Sequence, residues 1–85
     1  MPRRDWPTWW EWELELSVHL LRRMLCRDFN ETDLRTMLAD ARAYERDVDA
    51  SRWVVQTRWH GLDWEVIVEP DAEKRRLVVV TAYAV

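Results

Sequence analysis

The sequence predicts an α+β fold: one antiparallel sheet with two helices packed on one face, in the order β-α-α-β-β-β. Three observations carry that expectation. Residues 11–16 alternate strictly, two capped helical stripes lie between residues 17 and 44, and a period of two returns from residue 52 onward. The 85 residues, 48% of them hydrophobic, hold one domain built around a single core.

The elements follow in order. Residues 1–10 carry two prolines and three tryptophans and read as a Trp-rich extension ahead of a single domain at residues 11–85. Glu11-Trp12-Glu13-Leu14-Glu15-Leu16 sets acids on one side and apolar residues on the other, the pattern of a half-buried strand. Ser17 can cap a helix whose apolar stripe is Val18, Leu21 and Leu25, with Leu20 and Met24 beside it, ending near Asp28. Asn30 with Asp33 forms a second capping signal. Leu34, Met37, Leu38 and Ala41 continue that helix to about Tyr44.

Beyond an acidic linker at residues 45–51, strands are expected at about 52–59, 62–69 and 75–84. His60-Gly61 fits a two-residue hairpin turn. It pairs Trp59 with Leu62, Thr57 with Trp64, Val55 with Val66 and Trp53 with Val68 on one face. On the other it pairs Arg58 with Asp63, Gln56 with Glu65, Val54 with Ile67 and Arg52 with Glu69. The loop from Pro70 to Lys74 then sets Glu69 opposite Arg75. That register places Val78, Val80 and Ala82 on the tryptophan face and Leu77, Val79, Thr81 and Tyr83 on the charged one. Trp53, Trp64, Val66, Val80, Leu21 and Leu38 are expected in the core.

Thirteen Lys and Arg against 16 Asp and Glu leave a net charge of -3, so a nucleic-acid role needs a local basic patch. A single cysteine, Cys26, allows no internal disulfide, and no zinc-ligand spacing is present. The N-terminal residues lack the apolar segment of a signal peptide, and the run from Leu77 to Val85 is too short to span a bilayer. A cytoplasmic protein with no membrane partner is expected.

Two groups of side chains can carry chemistry. In the expected register Arg58, Asp63 and Thr81 form a row on the open face, with Tyr83 one level closer to the turn. An arginine there can hold a phosphate, a hydroxyl can orient it and a phenol can exchange a proton. The alternative is a cross-strand ion pair on a solvated sheet. On the first helix His19, Arg22, Arg23 and Cys26 share one side. His19 reads either as a proton-transfer group or as a surface residue, and Cys26 as core filler. Trp12, Trp53, Trp59 and Trp64 fall on the core face. Trp6, Trp9 and Trp10 either fold back on the sheet or form a patch for a second copy or another protein.

Three motifs, His19-Leu20-Leu21-Arg22-Arg23-Met24, Arg27-Asp28-Phe29-Asn30-Glu31-Thr32-Asp33-Leu34 and Leu77-Val78-Val79-Val80-Thr81-Ala82-Tyr83, occur in that order. From about residue 13 to 85 the chain resembles a bacterial family of small domains of unknown function related to BrnT-type and RelE-type toxins. Asp28 departs from the family pattern, which has glycine there. The resemblance implies a RelE-like, or barnase/EndoU/colicin-like, nuclease architecture. It implies a toxin-like ribonuclease of a toxin-antitoxin system, cleaving RNA by attack of the ribose 2′-hydroxyl with no metal and no cofactor. The implied site is His19, Arg23, Arg58, Thr81 and Tyr83. The implied partners are RNA, free or on the ribosome, and a cognate antitoxin. The competing expectation is a noncatalytic protein–protein interaction domain, a homodimer joined through the open sheet or through Trp6, Trp9 and Trp10.

Overall fold

The computed structural model describes residues 6–26 and 29–85, without the side chain of Cys26. The expected helix end at Asp28, the Arg27-Asp28 motif and the reading of Cys26 as core filler lie outside the described residues. A five-stranded sheet carries two helices on one face. The elements are β1 (Glu13–Leu16), α1 (Val18–Cys26), α2 (Glu31–Ala39), β2 (Ala43–Arg46), β3 (Trp53–Trp59), β4 (Leu62–Asp71) and β5 (Arg76–Ala84), with a short 3₁₀ turn at Thr8–Glu11 ahead of them. Among the described residues no helix is long and apolar enough to cross a membrane.

The α+β class matches the expectation, but the sheet is mixed rather than antiparallel. The strand order is β1-β5-β4-β3-β2. β1 runs parallel to β5, from Glu13 opposite Arg76 to Leu16 opposite Val79, while the other three pairs are antiparallel. β1 and β2 thus occupy opposite edges, and the helices carry the chain between them across the core face. β2 was expected as the end of the second helix. The capping box of α2 forms as read, with Asn30 and Asp33 exchanging side chain to backbone hydrogen bonds at 2.9 Å. The helix nevertheless stops at Ala39, and Tyr44 pairs with Val55. The apolar residues Ala41 and Tyr44 suit a helical spacing and an edge strand equally, and burial against β3 decides.

The β3–β4 hairpin has the expected register at every pair, from Trp53 with Val68 to Trp59 with Leu62. His60 and Gly61 both take left-handed backbone, φ 52° and 77°, as a two-residue hairpin turn demands. The β4–β5 register differs. β4 runs on through Pro70 to Asp71, which pairs with Arg76. Leu77 and Val79 therefore face the core, and Val78 and Val80 are only half-buried. Val68 pairs with Val79 but Ile67 with Thr81, so Val80 is an extra residue, a bulge that shifts the alternation by one. It restores Ala82 to the core and turns Thr81 and Tyr83 to the other face.

Ser17 ties α1 to that bulge. Its hydroxyl donates to the Val80 carbonyl at 2.6 Å and accepts from the Leu20 amide at 3.0 Å, and its own amide donates to the Val79 carbonyl at 3.0 Å. One serine caps the helix and fixes where it leaves the sheet. The helix consequently buries Leu20 completely and half-buries Met24. The expected stripe of Val18, Leu21 and Leu25 faces outward. The core comprises Leu20, Phe29, Leu34, Met37, Leu38, Ala41, Val55, Val66, Val68, Leu77, Val79 and Ala82. Trp53 and Trp64 pack against it half-buried. Trp6, Trp9 and Trp10 fold back on the same core, Trp6 at 4.8 Å from the Tyr44 ring and Trp9 at 5.8 Å from Trp53.

Candidate functional site

Two aromatic clusters mark the two ends of the core face. At the end opposite the hairpin turn, Trp6, Trp9, Trp10, Tyr44 and Trp53 form a continuous set of tilted rings with centroids 4.5–6.1 Å apart. At the turn end, Phe29 packs edge-on against Trp64 at 5.5 Å and Trp59 at 6.4 Å. There the rings border an open cavity of about 360 Å³, lined by Arg23, Phe29, Trp59, His60, Leu62, Trp64, Tyr83 and Ala84.

The local fold explains each chemically active side chain in this cleft. Arg23 sits on α1 one turn beyond buried Leu20 and is half-buried, with its Nε shielded from solvent and without an acceptor. The indole Nε1 of Trp64 is in the same condition. Trp12 Nε1, outside this cleft, is a third such donor; each costs about 1–3 kcal/mol, and being shielded from solvent they do not open onto the cavity. His60 occupies the first position of the hairpin turn, where Asn or Asp is the ordinary choice for left-handed backbone. Its ring lies flat on Trp59, 3.9 Å between centroids and 17° between planes. The exposed imidazole is thus held at the cleft wall.

Tyr83 borders the same cavity from β5, with its phenol on the opposite face of the sheet. It pairs with Glu65, and its hydroxyl donates to Glu65 Oε1 at 2.8 Å. That hydrogen bond, helped by partial burial and by the charges of Glu65 and Asp47, pushes the phenol up to about 12. Tyr83 therefore stays protonated at neutral pH and can pass a proton on to Glu65 only as it receives another.

The five residues expected as a site divide. Arg23 and Tyr83 both border the cleft, but the Tyr83 phenol lies on the opposite face of the sheet, against Glu65. His19, exposed on α1 four residues before Arg23, does not line it. Arg58 forms the expected ion pair with Asp63, Nε to Oδ1 at 3.2 Å, and donates to the Gly61 carbonyl at 3.0 Å, bracing the turn that carries His60. Thr81 pairs with Ile67 in mid-sheet, so the row of Arg58, Asp63 and Thr81 does not form. The four-residue turn at 72–75 and the bulge at Val80 move β5 by three to four positions relative to the expected register. His60 was read from the sequence only as a turn residue. The available signal was a histidine where left-handed backbone favours asparagine, aspartate or glycine.

Among the described residues no group of three or more His, Cys, Asp or Glu is placed to hold a metal ion. No curated protein and no solved structure matches the chain. A family match covers residues 16–84, from the last residue of β1 to the last of β5, and it includes every residue lining the cleft. By that match the chain belongs to the family described as Domain of unknown function (DUF4258).

Proposed function

We propose that the chain is a toxin-like ribonuclease that works without a metal, with the turn-end cleft as its site. The observation that carries this reading is the meeting of Arg23 and His60 at one aromatic-walled cavity. Trp59, Trp64 and Phe29 offer π-faces for an RNA base, a sequence-tolerant mode of holding single strands. Arg23 brings the one cationic side chain that an anionic phosphate needs in an otherwise acidic protein.

In the reaction the ribose 2′-oxygen bonds to the adjacent phosphorus and the bond from phosphorus to the 5′-oxygen breaks, leaving a 2′,3′-cyclic phosphate and a 5′-hydroxyl. His60 accepts the 2′-hydroxyl proton. His60 then returns that proton to the departing 5′-oxygen, and Arg23 stabilises the charge that builds on the phosphorane. Arg58 acts as a positioning residue through the turn. A cognate antitoxin and a ribosome-bound substrate belong to the same proposal.

The test is purified protein incubated with RNA in the presence of EDTA, with and without ribosomes, followed by mapping of product ends. Cleavage leaving cyclic phosphates, lost in folded Arg23→Ala and His60→Ala chains, is the expected result. Intact RNA under both conditions, or equal cleavage by the variants, would replace this reading with a noncatalytic interaction domain.

A further inference from the structure

The outer side of α1 is a second surface, separate from the cleft. Val18, Leu21 and Leu25 are 65%, 46% and 87% exposed. Their spacing of three and seven residues puts them on one side of the helix, with exposed His19 and Arg22 beside them. The inward side is already occupied by Leu20, which is fully buried, and by Met24. Three branched aliphatic side chains in a row on one nine-residue helix form a contiguous ridge, unlike the scattered single apolar residues of ordinary surfaces. The ridge also has a sign. α1 carries His19, Arg22 and Arg23 and no carboxylate, on a chain whose net charge is -3.

We propose that this ridge docks an acidic amphipathic helix of another protein. Its apolar side chains at helical spacing would lie on Val18, Leu21 and Leu25, and its carboxylates would reach Arg22. Charge decides against a second copy of this chain. Arg22 is the midpoint of Val18–Cys26, so a two-fold antiparallel pairing of α1 with itself sets Arg22 against its own mate. Two like-charged copies also repel at long range. The proposal does not depend on the ribonuclease reading, because none of the three ridge residues lines the cleft.

The experiment uses the full chain and two labelled synthetic helical peptides with the same leucine spacing, one with glutamates flanking the leucines and one with lysines, read by fluorescence anisotropy. The glutamate peptide is expected to bind at least about tenfold tighter than the lysine peptide and to weaken as salt rises. Leu25→Asp should weaken it about tenfold or more, and Arg22→Glu should invert the preference between the peptides. Both positions are exposed, so both variants should keep the wild-type melting temperature, measured alongside. Equal binding of the two peptides, binding unchanged by Leu25→Asp, or no binding of either peptide would overturn the proposal. Sedimentation velocity showing a dimer that Leu25→Asp dissolves would overturn it in favour of a second copy.

Discussion

The two ends of the core face start from the same material and finish differently. Each end of β3 presents a tryptophan, Trp53 at one and Trp59 at the other, and each is extended by further aromatic rings. At the Trp53 end the chain's own residues 6–10 supply the cover, and Trp6 and Trp9 pack tilted and edge-on against Tyr44 and Trp53. At the Trp59 end, among the described residues, Phe29, Trp64 and His60 pack on Trp59, and an open cavity remains beside them. Aromatic burial at the first end contributes to stability. At the second end the same kind of surface is left for something else to cover.

Four measurements sharpen or break this comparison. The largest effect is expected at the open end, where His60→Ala and Arg23→Ala should each lower RNA cleavage by about 10²–10³-fold with little change in melting temperature. A comparable loss from Trp9→Ala in a chain that stays folded would abolish the distinction. At the covered end Trp9→Ala should instead destabilise by about 2–3 kcal/mol in urea denaturation, since it removes a half-buried indole from a ring cluster. Ser17→Ala should cost about 1–2 kcal/mol, because it removes a helix cap and leaves the Val80 carbonyl without its donor. The same variant should lower cleavage severalfold by letting α1, and with it Arg23, shift.

The smallest effect is a titration. The phenol of Tyr83 is raised from 10.0 to about 12 in the folded chain. The stability it adds is therefore fully present below pH 10 and is lost as the pH climbs through 12. Glu65→Ala removes the first cause of the shift, so the tyrosinate absorbance of that residue should move back toward pH 10. An unchanged midpoint would show that Glu65 does not hold the Tyr83 proton.

What could be read from the sequence follows the range of the forces involved. The β3–β4 hairpin was legible pair by pair because a two-residue turn fixes the register and both faces then agree chemically. The capping box at Asn30 and Asp33 was legible for the same local reason. The orientation of α1 was not. Val18, Leu21 and Leu25 make as good a stripe as Leu20 and Met24, and the choice between them is set by the Ser17 bond to Val80, 63 residues away. The site was half legible. Arg23 was named and borders the cleft, and Tyr83 reaches its rim from the other face of the sheet, whereas the Arg58–Thr81 row depended on a turn length and a bulge that no local pattern encodes.

That bulge fixes which side chains of β5 are indoors. Before Val80 the odd-numbered residues Leu77 and Val79 are buried, and after it the even-numbered Ala82 is. The bulge works like a compensating insertion in a reading frame: the extra residue lets buried Leu77 and Val79 be followed by buried Ala82 with Tyr83 outward. Deleting Val80 would close the ladder without changing the face of Ala82 or Tyr83. What it would remove is the carbonyl that holds Ser17, so its cost falls on the seating of α1 rather than on the frame of β5.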